Sequence, residues 1–437
     1  MFKLKPSLLI ALSFLAIITA GAILLCLPIS SASGTWTNFL DAYFTSNSAT
    51  CVTGLVCLDT GVHFSLFGQF VIMLLIQVGG LGYMTFSTFL VLFFRKKMFI
   101  TEKLTIQEAL NVYSANDVMS VLKKIFGIVF IIEGIGALLL FLRWLPEFGL
   151  FKAAWYAVFH SVSAFCNAGF ALPANFANLT AYKTDLVINL TVTTLIILGG
   201  LGFLVIADIV QNRRFSLHSK IVIGTTFALL AFGTAFIFGI EFFNSHTIGN
   251  LNLGGKLLAS YFQAVTPRTA GFNTLPIEYL YHSSLLVMMF LMFVGASPGG
   301  TGGGIKTTTF TLICSTIWAT LRNQKNTNLF ERKIPAETVR RAFVIFFLSA
   351  GVVALGIFLL NGTESFSVMQ ITFEVISAFG TVGLSMGITP FLSDIGKIII
   401  ITVMFIGRVG ALSLLLALSS KEGKHHVEYP KEGISIG

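Results

Sequence analysis

The sequence predicts an all-α polytopic membrane protein. Four consecutive helix–re-entrant pore loop–helix repeats, eight spans in all, would surround one pseudo-fourfold pore. Three observations carry that prediction. Of 437 residues, 55% are hydrophobic and 11% charged, with a mean hydropathy of +0.86, whereas a soluble domain carries roughly 25% charge. Apolar stretches of about 20 residues recur, long enough to cross a ~30 Å hydrocarbon core as helices. A short motif ending in glycine appears four times: ATCVTG at Ala49 to Gly54, AFCNAG at Ala164 to Gly169, TPRTAG at Thr266 to Gly271 and AFGTVG at Ala378 to Gly383.

The four glycines stand 115, 102 and 112 residues apart, and each is flanked in the same way. An apolar helix comes first, at about 7–29, 120–145, 219–243 and 339–360. A shorter amphipathic segment follows, at about 37–49, 152–165, 254–265 and 366–378. A second long helix comes after the glycine, at about 66–94, 185–210, 282–321 and 395–419. The short segments cannot span. They fit re-entrant half-helices, whose backbone must be buried in protein or face water. The repeat divides the chain into pore units at 1–100, 101–215, 216–325 and 326–420, with a tail at 421–437. Lys3 and Lys5 before an apolar run imitate a signal peptide, but Pro6 to Leu27 exceeds the usual core length and reads as a retained first span.

The second helices carry glycines of their own. Gly79-Gly80-Leu81-Gly82, Gly199-Gly200-Leu201-Gly202 and Gly407-Arg408-Val409-Gly410 lie 25, 30 and 24 residues past their loop glycines, and Gly295 lies 24 past in the third unit. Small residues in membrane helices often mean only close packing. The third unit differs, because Pro298 to Gly304 holds one proline and five glycines. That stretch cannot stay helical. A helix broken in mid-membrane survives only beside a cavity or buried in protein.

Charge sets the expected orientation. Eight spans place both termini on one side, with Lys3, Lys5, Arg95, Lys96, Lys97, Lys103, Lys123, Lys124, Arg213, Arg214, Lys220, Arg322, Lys325, Arg332, Lys333, Arg340, Arg341, Lys421, Lys424 and Lys431: 20 of the 28 basic residues. The other side receives six. Short loops biased this way face the cytoplasm, so the re-entrant loops enter from outside. The net charge of +9 thereby has a topological cause and does not call for nucleic acid. The cysteines, Cys26, Cys51, Cys57, Cys166 and Cys314, give neither a disulfide framework nor a metal motif.

A glycine after two polar or β-branched residues lets backbone turn sharply with its carbonyls inward, since glycine tolerates positive φ. The two preceding side chains are expected to pack outward. Rings of carbonyls replace the hydration shell of a potassium ion, and no ring of carboxylates competes with that reading. The half-helices should point their negative C-terminal ends at the axis, which favours a cation.

Across nearly its whole length the chain resembles the superfamily of Trk, Ktr and HKT potassium transporters. Eight spans without an extra N-terminal pair look most like a Ktr-type membrane subunit. The ending Tyr429 to Gly437 looks like the Ktr tail, which in that family packs at a homodimer interface. The resemblance implies potassium bound by carbonyls of Val52, Thr53 and Gly54, of Asn167, Ala168 and Gly169, of Thr269, Ala270 and Gly271, and of Thr381, Val382 and Gly383. Only the last triplet is a full Thr-Val-Gly, which fits fewer stacked ion sites than in a tetrameric channel. Four retained glycines go, in this family, with potassium over sodium. The resemblance also implies a gating loop over Ala296 to Lys306, with Ala296, Gly299, Gly300, Thr301, Gly302, Gly303, Gly304 and Lys306, and a pore-blocking Arg408. The family's partner is a cytoplasmic ring of RCK-type nucleotide-binding subunits; this sequence holds no such domain, so ATP or ADP regulation would come from outside it. No cofactor is implied beyond potassium as the transported ion, with sodium open as an activator. The expected place is the cell membrane, with cytoplasmic termini.

Arg408 also draws attention by itself. A mid-membrane charge costs roughly 2.5 kcal/mol or more unless it faces partners or water. It replaces the glycine of Gly80 and Gly200, which points it at the axis below the loops; snorkelling to the cytoplasmic side is the other reading. Lys306 is either part of a gate or a helix-restart residue. Gly300 to Thr307 (GTGGGIKT) imitates a phosphate-binding loop, but Ile305 separates Gly304 from Lys306 and no soluble strand precedes it. A coupled secondary carrier, sodium- or proton-driven, is the alternative, since such carriers place ionisable groups at the midplane. Glu133 and Asp208 are its candidates. Glu374 and Asp41 serve either to concentrate cations at the outer mouth or to brace the scaffold, and His160 reads as a packed polar residue. The basic stretch 322–341 either satisfies topology, contacts anionic lipid or docks a soluble partner. An enzyme is not expected, as His, Cys and carboxylates do not cluster.

Overall fold

The computed structural model describes residues 6–82, 118–211 and 215–411. The expected continuation of the first unit's second helix to 94, the last turns of the fourth unit's to 419, and the tail Tyr429 to Gly437 lie outside these residues. So do the basic residues Lys3, Lys5, Arg95, Lys96, Lys97, Lys103, Arg213, Arg214, Lys421, Lys424 and Lys431.

Four long helices, Pro6–Cys26, Val118–Phe148, Leu217–Glu241 and Ala336–Thr363, each precede a shorter one. The short helices run Phe39–Cys51, Leu150–Phe165, Leu253–Val265 and Val368–Gly380, each ending just before one of the glycine loops. Local chemistry fixes where they start. Asn38, Asn252 and Ser367 accept backbone N–H groups at the N-termini, and Ser367 with Gln370 completes a capping box. These side chains satisfy amides that have no partner inside the helix.

The second helices depart from the expected continuous spans. The stretch 185–210 is two helices, Leu186–Leu201 and Phe203–Gln211, bent by 101°. Gly202 stands at the break with φ 93°, a value that an L side chain resists. Gly82 (φ 78°) and Gly410 (φ 91°) likewise end the helices Leu66–Leu81 and Asp394–Val409. In the third unit His282–Phe293 and Thr307–Leu321 are separated by the glycine-rich loop. Among the described residues, three helices are long and apolar enough to cross a membrane alone: Phe126–Phe148, Leu217–Glu241 and Ala336–Thr363; the bent pair makes a fourth candidate. At Gly82, Gly202 and Gly410 the backbone leaves the helix, which a reading of those glycines as packing sites alone overlooks.

The ends of the long helices are tied to the starts of the second helices. Ser65 Oγ donates to Ile29 O at 2.6 Å, Arg143 Nε to Asp185 at 2.5 Å, Ser284 Oγ to Glu241 at 2.5 Å and Ser393 Oγ to Glu364 at 2.5 Å. The fourth unit also packs on the first. Phe44, Leu55 and Cys57 share a core with Val353, Val375, Phe379 and Met404. Lys397 Nζ meets Asp41 at 2.6 Å, and Asn47 donates to Ile401 O at 3.2 Å. The four short helices thus close around a common centre.

Candidate pore

At that centre the four triplets meet. A methyl group added to Gly54 would strike Ala168 O; on Gly169, Ala270 O; on Gly271, Val382 O; and on Gly383, Thr53 O. Each glycine therefore abuts the middle carbonyl of the next triplet, in the order first, second, third, fourth and back to first. The glycines have φ of 92°, 71°, 75° and 92°. The leading residues Val52, Asn167, Thr269 and Thr381 are left-handed too, at 58°, 60°, 72° and 50°. Alternation of left-handed and ordinary residues is what lets three successive carbonyls stay clear of the helix ladder.

Those carbonyls are left open. Among the described residues no hydrogen bond ends on the oxygens of Val52, Thr53, Gly54, Asn167, Ala168, Gly169, Thr269, Ala270, Thr381, Val382 or Gly383. Gly271 O receives only the Asn178 amide, at 3.5 Å. Most buried carbonyls in proteins have a partner, so a ring that keeps its oxygens bare is suited to a dehydrated cation. The N–H groups of the middle residues are bonded instead. Thr53, Ala168 and Val382 N each donate at 2.8 Å to the carbonyl of a serine five residues back: Ser48, Ser163 and Ser377. The hydroxyls of Ser48 and Ser377 accept from Gly54 N at 3.0 Å and Gly383 N at 3.1 Å. Ser163 Oγ donates to Phe170 O at 2.8 Å, and Thr266 Oγ1 to Phe272 O. These hydroxyls were missed from sequence; their signal is a serine six residues before three of the four glycines.

On one face of the ring lies a cavity of about 340 Å³ whose floor includes all four glycines and whose wall includes Asp59 and Glu278. On the opposite face lies the break in the third unit. Val294 and Ile305 pair across its base. Ser297 N donates to Gly200 O at 3.0 Å, Thr301 N to Gly199 O at 3.1 Å, and Phe203 N to Gly299 O at 3.0 Å. Its next residues reach the triplets. Thr301 Oγ1 lies 3.3 Å from Phe165 O and, with the Asn167 amide turned to donate to Ala164 O and Ile196 O, 3.1 Å from Asn167 Oδ1. Gly302 has no room for a methyl group beside Thr269 Oγ1, and Gly303 N donates to Thr381 Oγ1 at 2.9 Å. The leading side chains of three triplets therefore face this loop, and do not pack outward as the sequence suggests.

Arg408 joins the same assembly. It is half-buried, with Nη1 donating to Thr301 O and Nη2 to Gly79 O. It links the fourth unit to the loop and to the first unit, and does not reach away along its helix. Lys306 is half-buried as well, donates to Gly302 O at 2.6 Å, and precedes the restarted helix Thr307–Leu321. Ala296 and Gly304 sit at the foot of the loop, where Thr307 N reaches Ala296 O at 3.4 Å.

Comparison with known proteins decides the family. The family model described as TrkH, cation transport protein, matches residues 6–222 and 212–427. The chain belongs to this TrkH/Ktr family. It is 43% identical over 438 residues to the Ktr system potassium uptake protein B of Bacillus subtilis, covering 100% of this chain and 97% of that protein. It is 39% identical to the potassium/sodium uptake protein NtpJ of Enterococcus hirae, over 100% of this chain and 98% of the other. The crystal structure of the potassium transporter TrkH from Vibrio parahaemolyticus aligns with a TM-score of 0.76 at 18% identity, over 94% of this chain and 84% of that one. That likeness establishes the shared helical fold. The TrkH/Ktr family is one of potassium uptake transporters, not of enzymes.

Within this TrkH/Ktr chain the remaining candidates take structural places. Glu133 is buried and receives Gln77 Nε2 at 3.1 and 3.2 Å. Glu374 is fully buried behind the fourth triplet, where Ser385 Oγ at 2.7 Å and Thr389 Oγ1 donate to it. It braces the loop from behind and does not line the cavity beside the ring. Asp41 is taken by Lys397. Asp208 receives Ser216 Oγ at 2.7 Å and Ser219 Oγ at 2.6 Å. His160 is packed against Trp144 and Phe159; Nδ1 donates to Tyr156 O at 2.7 Å while Nε2 accepts from Leu172 N at 3.3 Å. The glycines of the second helices press on the short helices: Gly79 on Thr50 O, Gly199 on Phe165 O and Gly407 on Phe379 O.

Proposed function

We propose that the chain is the ion-translocating membrane subunit of a potassium uptake system. The triplets 52–54, 167–169, 269–271 and 381–383 form its selectivity filter, and the loop Ala296 to Lys306 with Arg408 forms a gate beneath it. The observation that carries this reading is the ring of four left-handed glycines with open carbonyls. A cation leaving water is held there by oxygens that have no competing donor. Arg408 supports the gate assignment because its guanidinium bridges Thr301 O and Gly79 O directly under the ring. A cation fixed there opposes passage of another until the loop moves.

The relatives named for potassium uptake support the substrate. The relative named for potassium and sodium uptake supports sodium as an activator or second permeant ion. It also keeps a sodium-coupled carrier as the competing reading. Flux that follows the potassium gradient alone favours a channel-like pore, whereas a fixed ratio of sodium to potassium favours coupling. The pore units 1–100, 101–215, 216–325 and 326–420, the tail 421–437 as a homodimer contact, and cytoplasmic termini in the cell membrane belong to the same proposal. So does a regulatory ring of RCK-type nucleotide-binding subunits docked on the basic stretch 322–341, which the Ktr-system relatives support.

The test is potassium and sodium uptake in a transport-deficient cell, comparing the native chain with Gly54→Ser. Gly54 stands at φ 92° with no room for a side chain beside Ala168 O. Serine there should collapse potassium preference over sodium by about tenfold or more, a change of ~1.4 kcal/mol in relative binding. Unaltered selectivity would undo the filter assignment.

A further inference from the structure

Between the helices Thr307–Leu321 and Ala336–Thr363 the chain makes a two-strand hairpin, with Asn328 paired to Lys333 and Leu329 to Arg332. The two connecting residues, Phe330 and Glu331, stand at φ 47° and 62°. Positive φ at both central positions is the mirror-image turn that Asn-Gly or Asp-Gly ordinarily supplies. A bulky residue there is a conformational outlier, and such outliers persist where the surroundings enforce them, often for function.

The enforcement comes from the base of the hairpin. Leu329 and Ile334 pack on Leu312, Ile313 and Ala342. The Thr327 hydroxyl lies 3.1 Å from Thr316 Oγ1, and Ile334 N donates to Thr327 O at 3.0 Å. The tip is not held in this way: Phe330 is 56% exposed. In the hairpin and the segments flanking it, Arg322, Lys325, Arg332, Lys333 and Arg340 are exposed, and none forms an ion pair among the described residues. Arg322 lies over the Trp318 ring at 4.7 Å.

We propose that Phe330 is the anchor by which this chain docks a soluble cytoplasmic protein, one that presents an apolar socket rimmed by carboxylates. An aromatic side chain at the centre with charged groups at the rim is how binding energy is usually distributed in interfaces. Presenting that ring on a pinned hairpin reduces the ordering cost of association, and the unpaired cations steer an acidic partner into register. The inference rests on the reading of 322–341 as a docking face and deepens it.

The experiment uses the full chain in nanodiscs containing anionic lipid, with the purified nucleotide-binding ring protein co-expressed with it as probe. The double variant Phe330→Asn/Glu331→Gly supplies the turn's preferred pair, so the hairpin is kept while the ring is removed. Its melting temperature should equal or exceed the native value, and its affinity for the ring protein should fall by about tenfold or more. Equal affinity of native and double-variant chains overturns the anchor while leaving the docking face intact. A native chain that binds no ring protein overturns both. In a Phe330→Trp chain, a blue shift of emission on adding the ring protein supports the proposal. A shift with anionic lipid alone overturns it in favour of a membrane contact.

Discussion

One backbone amide ties the loop Ala296 to Lys306 to the fourth triplet. Gly303 N has one partner, the Thr381 hydroxyl at 2.9 Å, and leaving a buried N–H unpaired costs about 1–3 kcal/mol. Thr381→Val keeps the shape of the residue and removes the acceptor. It should loosen the loop and raise potassium leak through the resting protein by about tenfold, given ~1.4 kcal/mol per decade. Thr381→Ser, which keeps the acceptor, should change the leak less. Liposome flux measured for the two variants checks the order, and equal leaks would separate Thr381 from the gate. Arg408→Ala removes both the donors to Thr301 O and Gly79 O and the positive charge. Its resting flux should rise further than that of Arg408→Lys, which retains the charge. A resting flux identical to the native value in both would take Arg408 out of the gate.

Broken helices, not continuous ones, shape the face of the ring on which the loop Ala296 to Lys306 lies. Gly202 has φ 93°, and a methyl group there would lie 2.6 Å from Pro298 O. Gly202→Ala therefore strains the backbone by roughly 1–2 kcal/mol and pushes on the loop that Phe203 N holds through Gly299 O. Thermal unfolding in detergent should shift down, with resting leak rising in parallel; an unchanged transition would mean that the bend is not needed. This bend also shows what could be read from sequence. The short helices begin and end within about two residues of their predicted limits, because the glycines that follow are legible stops and the preceding apolar runs bound their length; the caps at Asn38, Asn252 and Ser367 are a further signal that the sequence carries. The third unit's break was legible because proline and clustered glycine cannot remain helical. The bend at Gly202 and the helix ends at Gly82 and Gly410 were not, because a glycine in an apolar run serves packing as readily as breaking. Which face Thr269 and Thr381 present was hidden as well. Their direction follows from left-handed backbone at the leading triplet position, and sequence assigns that conformation confidently only to glycine.

The whole molecule builds a near-fourfold ring from one chain, so three of its four junctions are covalent and the fourth is not. The seam between fourth and first units depends on side chains. Lys397 Nζ and Asp41 Oδ1 meet at 2.6 Å with relative exposures of 13% and 19%, beside the Asn47 amide bond to Ile401 O. Removing Lys397 leaves Asp41 without its counter-ion, and removing Asp41 leaves Lys397 only the exposed Asp394 at 3.9 Å; for this largely buried pair either loss costs up to about 3–5 kcal/mol, whereas replacing both with neutral residues costs much less. Lys397→Met and Asp41→Asn should each destabilise the protein strongly, and the double variant should recover most of the loss. Because Gly383 abuts Thr53 O across the same seam, the single variants should also weaken potassium preference over sodium, with the double variant again nearer to native. Melting curves and ion-competition uptake on all four proteins complete the cycle. Losses that merely add in the double variant would show that the pair does not hold the seam. Recovery of stability without recovery of selectivity would show that the ring needs the ion pair itself and does not tolerate an altered fourth junction.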